Sequence, residues 1–337
     1  MAKRAINQPD DGQAGEAEAQ QGRARLHAIE DNPIPEGARV GYVETPDGFR
    51  LRHARWQAAV RPSKGTVILL HGRAEFIEKG FETIHDLRLR GFGVLSFDWR
   101  GQGASTRLIE GVVKGHIDTF AQYLTDLETI LSKVALPDCR PPFYIMAHST
   151  GALVALLAAP DLANRVRRMV LVSPLLRIAR LPLRQTTLQR FLGAMTLLGL
   201  GHVSAIRNWQ PPETRNFIAN RLTSDTHRFQ RTRTLLTKLP ALRTGPPTIG
   251  WVFAACRAME IVNEPGYSSA ISVPTLFIAA GGDTVVAPSA IETYGRAMRS
   301  GAFLTIPGAR HEILDERDAY REQLLAAVDA FVPGSEV

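Results

Sequence analysis

Residues 143–151 read FYIMAHSTG, and ALVALLAA follows at 152–159. An apolar run that stops at a serine and resumes as an alanine-rich apolar stretch has the form of a strand, a sharp turn and a helix, with Ser149 at the tip of the turn. Ala147 and Gly151 flank the serine. Such a turn forces the serine into a strained backbone conformation, and larger side chains two positions either side would collide with the strand and the helix. The strain projects the hydroxyl above the sheet and aims the first N–H groups of the helix at whatever the hydroxyl attacks. A small-x-Ser-x-Gly pentapeptide also occurs by chance, so the reading depends on the strand before, the helix after, and an acid and a histidine further on in the right order.

Working outward, strand-like apolar runs stand at 66–72 (TVILLHG), 92–98 (FGVLSFD), 143–149, 168–174 (RMVLVSP), 274–281 (PTLFIAAG) and 302–307 (AFLTIP). Stretches of helical character lie between most of them, at 78–90, 118–135, 151–159, 288–299 and 315–331. Near-continuous apolar strands alternating with helices predict a parallel sheet covered on both faces. Ahead of them, residues 39–56 (RVGYVETPDGFRLRHARW) read as an antiparallel hairpin turning at Pro46-Asp47-Gly48. A hairpin followed by alternating α and β is the layout of an α/β-hydrolase fold: a mostly parallel central sheet flanked by helices.

Four blocks carry a family resemblance, in order and spacing: HGRAE (71–75), FDWRGQGAS (97–105), AHSTG (147–151), and the pair GGDTVV (281–286) with PGARHEI (307–313). Together they resemble the serine α/β-hydrolases of the lysophospholipase and monoacylglycerol lipase group, over most of residues 40–332. The first two blocks are more specific to that group than the serine turn. One position departs from the pattern: Ala147 stands where the family usually has glycine, and alanine is small enough to leave the turn possible.

A serine hydroxyl is a poor nucleophile at neutral pH and needs a base to remove its proton as the bond forms. That base must be oriented, and its cation stabilised, by a buried carboxylate. Asp283 follows the strand at 274–281, and His311 follows the strand at 302–307 in a Pro-Gly loop. Loops at the C-terminal ends of parallel strands open on the same side of the sheet, where Ser149 also sits. After 168–174 no carboxylate occurs until Glu213, which leaves Asp283 as the candidate acid. Taken singly, Asp283 is an ordinary turn aspartate and His311 an ordinary loop histidine. In the order Ser, Asp, His at successive strand ends, they form the expected triad of Ser149, Asp283 and His311.

An oxyanion hole needs two backbone donors near Ser149. The Thr150 N–H, at the start of the following helix, is expected to be one. The resemblance implies that the other is the N–H of Arg73, after His71-Gly72, leaving the Arg73 side chain to solvent or to a substrate headgroup. Glu75 and Arg100 are expected to brace these loops, His148 to pack, and His71 to make a structural hydrogen bond.

The 337 residues, 45% of them apolar, suffice for one large α/β domain with an insertion. The expected division is a poorly ordered segment over 1–35, a hydrolase core over 36–174 and 271–335, and a helical cap over 175–270, after the sixth strand. A connection of about ninety residues without core strands is the mark of a functional lid or subdomain. Its most apolar piece, 185–201, falls short of the roughly 20 residues that span a bilayer, so it reads as a cap helix over the site. Between 175 and 272 stand thirteen basic residues against four acidic ones, whereas the whole chain is only +7. A basic surface round an apolar pocket suits amphiphiles with phosphate heads, or peripheral docking on anionic membrane; the alternative is a merely solvated helical surface. Nucleic acid is not expected, since no binding module or interleaving of aromatic and basic residues is present.

No phosphate loop, nucleotide fingerprint or zinc spacing occurs, so neither cofactor nor metal is expected. The first 35 residues lack an apolar core of the kind a secretory signal needs, and Cys139 and Cys256 suit a reducing compartment. These features point to a cytoplasmic address with peripheral membrane contact. The resemblance implies a serine carboxylic-ester hydrolase acting on a single-acyl lipid, a lysophospholipid or monoacylglycerol, through an acyl-enzyme. The same triad also serves small-ester esterases, acyltransferases and carbon–carbon bond hydrolases, and the same shell serves low-turnover ligand-binding homologues.

Overall fold

In the computed structural model of the chain, which describes residues 24–109, 113–180 and 185–332, the N-terminal hairpin forms as β1 (Arg39–Glu44) and β2 (Arg50–Trp56), paired antiparallel. The six apolar runs become β3 (Thr66–Leu70), β4 (Gly93–Phe97), β5 (Phe143–His148), β6 (Val166–Val172), β7 (Thr275–Ala280) and β8 (Gly301–Ile306). They make one eight-stranded sheet in the order β1-β2-β4-β3-β5-β6-β7-β8. All neighbours from β4 to β8 are parallel, and β2 joins β4 antiparallel. This is the expected α/β-hydrolase sheet.

Alternation of side chains sorts the strands between two cores. Ile68 and Leu70 of β3 face one way, with Leu95, Phe97, Ile145 and Ala147. Val67 and Leu69 face the other, with Val94, Tyr144 and Met146. Every residue of β3, β4, β5 and β7 is buried, as strands covered on both faces must be.

The helices, in chain order, are α1 (Phe81–Leu89), α2 (Ala121–Ile130), α3 (Ser149–Leu162), α4 (Gln185–Leu197), α5 (Thr226–Lys238), α6 (Ile249–Val262), α7 (Pro288–Ala297) and α8 (Asp318–Phe331). Phe81, Ile84 and Leu87 of α1 and Leu324 and Val328 of α8 cover one face. Leu127 and Ile130 of α2, the apolar body of α3, and Ile291 and Tyr294 of α7 cover the other.

The insertion between β6 and β7 is helical, with α4, α5 and α6 joined by short 3-10 turns. It is not uniform. Trp251, Ala254, Ala255, Ala258, Met259 and Val262 of α6 belong to the same apolar core as α3. By contrast, α5 is polar along most of its length and buries two arginines, Arg228 and Arg231, beside Leu235 and Leu236. Its N-terminus is capped by Asp225, whose carboxylate accepts from the Arg228 N–H at 2.8 Å.

Of the segment 1–35, residues 1–23 lie outside the described residues. Residues 24–35 differ from the poorly ordered expectation and are built into the domain. The Arg25 carbonyl accepts from Arg52, Asn32 is buried and donates to the Glu78 carbonyl, and the Trp56 indole donates to the Pro35 carbonyl. Composition hid this, because the anchors are backbone carbonyls and one asparagine rather than an apolar run.

Candidate active site

β5 ends at His148, and α3 begins with Ser149 itself. Ser149 has φ +49°, a left-handed conformation that is uncommon for a residue with a side chain and is held by the strand-to-helix reversal around it. Gly151 is required by contact. A Cβ at this position would stand 2.6 Å from the His71 carbonyl oxygen and 2.8 Å from that of Leu70, both backbone atoms at the end of β3. Ala147 is fully buried, and its single methyl is accommodated with the serine turn intact.

The three residues expected at successive strand ends meet. His311, in the turn after β8, places Nε2 3.0 Å from Ser149 Oγ and Nδ1 2.7 Å from Asp283 Oδ2. The other Asp283 oxygen accepts the Val285 and Val286 amides at 2.7 and 3.1 Å, which fixes the carboxylate. A carboxylate only accepts, so Nδ1 carries the imidazole proton and Nε2 is left as an acceptor facing the serine hydroxyl. All three residues are buried.

The loop after β3 lies against the serine. A Cβ built on Gly72 would be 3.2 Å from Ser149 Cβ. This loop is braced from below: the Gly72 N–H donates to Glu75 Oε2, and the Ala74 N–H donates to Gln102 Oε1 at 2.6 Å. Thr150 is the second residue of α3, so its N–H has no partner within the helix. Gly72 thus brings the loop that carries the Arg73 amide against the serine, and the Thr150 amide stands in the first turn of the helix that Ser149 opens.

Arg73's side chain departs from the solvent alternative. It is half-buried, donates through Nη2 to the Gly245 carbonyl, and lies 5.2 Å from the Trp251 ring centre. Burial pulls its pKa down to about 10, and the positive charge of Arg215 adds to the effect. Arg100 is buried and joins Asp126 to Asp47, so what it braces is the β1–β2 turn and not the loops beside Ser149.

His148 was expected only to pack, but it is a polar link. Its Nδ1 lies 3.0 Å from Glu75 Oε2, its Nε2 lies 3.2 Å from the His311 carbonyl oxygen, and its ring sits 4.9 Å from that of His311. Both partners only accept, so a proton on each nitrogen satisfies both contacts. Burial would lower the His148 pKa, but the charge of Glu75 and its hydrogen bond overcome that and raise it. Burial likewise opposes ionisation of Glu75, yet Lys79 and His148 hold its carboxyl well below the usual range.

Glu75, Glu312 and Asp315 bring carboxylate oxygens within 4.8 Å of one another, a spacing that would suit a cation. The Lys79 ammonium occupies that place, at 2.8, 2.8 and 3.3 Å from the three. The sequence signal for this network was slight: an i,i+4 Glu-Lys pair at 75 and 79, and an acid next to His311.

Above these groups opens a cavity of about 710 Å³ that contains Ser149 and His311. Its apolar wall includes Ile178, Trp209, Leu222, Phe229, Trp251 and Val285, and its polar wall includes Arg73, Arg215 and Arg233. Most of this lining comes from the insertion. The insertion is also tied to the His311 loop, because the Glu312 N–H donates to the Leu222 carbonyl at 2.8 Å.

Comparison with known proteins agrees with this architecture. The family model described as "Serine aminopeptidase, S33" (Hydrolase_4) matches residues 61–318. Probable lysophospholipase L2 of Haemophilus influenzae is 30% identical over 267 residues, covering 79% of this chain and 83% of that protein. Lysophospholipase L2 of Escherichia coli K12 is 29% identical over 294 residues, covering 85% and 84%. Among solved structures, a soluble variant of Saccharomyces cerevisiae monoglyceride lipase superposes with a TM-score of 0.71 at 20% identity, covering 92% of this chain and 98% of that one. A monoacylglycerol lipase from Paleococcus ferrophilus superposes with a TM-score of 0.65 at 20% identity, covering 84% and 98%. The chain belongs to the serine aminopeptidase S33 family of α/β-hydrolases.

Proposed function

We propose that the protein is a serine carboxylic-ester hydrolase that cleaves single-acyl lipids, lysophospholipids or monoacylglycerols, through an acyl-enzyme. The observation that carries this reading is the hydrogen-bonded chain Ser149–His311–Asp283 opening into a large, mainly apolar cavity. In this reading His311 Nε2 takes the hydroxyl proton as Ser149 Oγ attacks the ester carbonyl. Asp283 holds the imidazole in the required tautomer and stabilises its cation. The Arg73 and Thr150 amides receive the developing oxyanion. His311 then passes its proton to the leaving alcohol. Water, deprotonated by the same nitrogen, attacks the acyl-serine and frees the fatty acid.

The names of the relatives support the lipid class, and an apolar wall leading from the serine gives an acyl chain a place to lie. We assign 175–270 as the cap. Its outer surface supports peripheral contact with anionic membrane from a cytoplasmic address, because Phe191, Leu197, Leu198 and Ile218 are exposed there among basic residues. No helix among the described residues is long and apolar enough to cross a membrane.

Fatty-acid release from lysophosphatidylcholine, monoolein and short p-nitrophenyl esters tests the reading, with Ser149→Ala as control. The long-chain lipids should be preferred, and the substitution should lower kcat by about 10⁴-fold or more. Serine-dependent turnover of the short esters alone would overturn the lipid assignment, and turnover indifferent to Ser149 would overturn the triad.

A further inference from the structure

Arg73 combines two features that its place in the loop does not require. The loop that carries its amide lies against Ser149, and its half-buried side chain lines the same cavity. A guanidinium carries five N–H donors and keeps its charge. Among the described residues, its hydrogen bond is the one to the Gly245 carbonyl, and Nε is sealed from water with no partner. The carboxylates lining the cavity are committed elsewhere: Glu75 and Glu312 to Lys79, and Asp315 to Lys79 and Arg231. Glu213, outside the cavity lining, pairs with Arg243 through one oxygen, and its charge bears on Arg215 rather than on Arg73. An ionised Tyr123 hydroxyl would favour the Arg73 charge, but burial keeps it neutral by pushing its pKa up to about 12.

A second cation makes the arrangement more unbalanced. Arg215 also lines the cavity, and its charge bears on Arg73 and disfavours it. Its own hydrogen bonds go to the Gln210 carbonyl, and burial lowers its pKa against the opposing charges of Glu213 and Glu312. Two like charges on one half-buried wall repel each other, and an anion held at that wall would offset both.

Resting on the lipid-ester reading above, we propose that Arg73, assisted by Arg215, is the specificity residue for a phosphate carried by the substrate. The preferred ester is therefore an anionic lysophospholipid rather than a neutral monoacylglycerol. The geometry suits it. An arginine side chain reaches about 6–7 Å from its Cα, and the glycerol arm between an ester carbonyl and the phosphorus spans about the same. A substrate whose carbonyl oxygen sits at the Arg73 amide would carry its phosphate within the length of that residue's own side chain, whose guanidinium lies 5.2 Å from the Trp251 ring centre.

The test compares wild type, Arg73→Met and Arg215→Gln, neither of which removes a backbone amide. Turnover of 1-oleoyl-glycerol 3-phosphate and of monoolein is measured in matched mixed micelles. Competitive inhibition of p-nitrophenyl butyrate hydrolysis is measured with dodecyl phosphate, the neutral 1-O-dodecylglycerol and inorganic phosphate. Arg73→Met should lower kcat/KM for the phosphate lipid by about tenfold or more relative to monoolein, and raise the inhibition constant of dodecyl phosphate by about tenfold or more relative to that of 1-O-dodecylglycerol, whatever the loss common to both. Arg215→Gln should move the same quantities by a smaller factor.

An equal loss on phosphate and neutral lipids, or no change in their ratio, would overturn the assignment while leaving the lipid hydrolase reading intact. Inorganic phosphate binding as tightly as dodecyl phosphate, with the same dependence on Arg73, would overturn it in favour of a free-phosphate site. If wild type cleaves p-nitrophenyl butyrate but neither lipid, the lipid-ester reading fails on its own. The dodecyl phosphate arm then still decides whether Arg73 holds a phosphate.

Discussion

α3 and α5 are helices of similar length held by opposite kinds of contact. α3 lies between the sheet, α2 and α6, and its residues from Ser149 to Leu156 are all buried and mostly apolar. α5 is polar, and it is joined to the core by charge. Arg228 meets Glu82 at 2.5 Å and Asp318 at 2.6 Å, and Arg231 meets Glu82 at 2.6 Å and Asp315 at 3.7 Å. Part of the insertion's positive charge is therefore neutralised at this seam. The residue that positions the nucleophile rides on non-directional packing that tolerates no change of shape. The element that lines the cavity rides on ion pairs that respond to pH and salt.

The largest way to break this contrast is on the α3 side. Gly151→Ala would press a methyl against two backbone carbonyls that cannot rotate away. It should cost about 2–3 kcal/mol in denaturant unfolding and remove activity with it. If the variant is as stable and active as wild type, the packing account of the serine turn is wrong.

The α5 counterpart is Glu82→Ala, which leaves Arg228 and Arg231 without their shared carboxylate. Arg228 keeps Asp225 and Asp318, so the loss should be about 2 kcal/mol, less than for a pair stripped of every partner. It should register as faster proteolysis within 213–243 ahead of global unfolding.

pH sharpens the same point. Burial would raise the Glu82 carboxyl, but its hydrogen bond to Arg228 and the charges of Arg321 and Arg231 bring it down to about 2. A depressed carboxyl contributes stability that is complete above its ordinary value near 4.5 and is lost as pH falls through 2. Between those limits the insertion should become protease-sensitive while the sheet's far-UV dichroism persists, and Glu82→Ala should abolish that separation.

The smallest effect belongs to the outer surface. Leu197→Asp with Leu198→Asp should change unfolding free energy by no more than about 0.5 kcal/mol, since both side chains stand in water. Co-sedimentation with vesicles containing phosphatidylglycerol should nonetheless fall several-fold; unchanged binding would remove these leucines from any membrane contact.

Much of this protein was determined by sequence alone. Strands covered on both faces need uninterrupted apolar runs, so β3 to β8 were legible within two residues or so of their ends. The hairpin turn at Pro46-Asp47-Gly48 and the small residues around Ser149 announced their own backbone geometry. Asp283 and His311 were legible as turns at the right ends of the right strands, since parallel strands deliver their following loops to one side. What only the tertiary structure decided are interactions between residues far apart in the chain, whose local sequence carries no period or turn signal. The burial of Arg73 depends on Trp251 and Gly245. The charge on His148 depends on Glu75 and on a carbonyl 163 residues away. Whether an insertion helix joins the core, as α6 does, or is tethered by ion pairs, as α5 is, depends on what faces it. Local sequence sets an element's kind, but a side chain's charge, solvation and partner are set by whichever distant groups the fold brings against it.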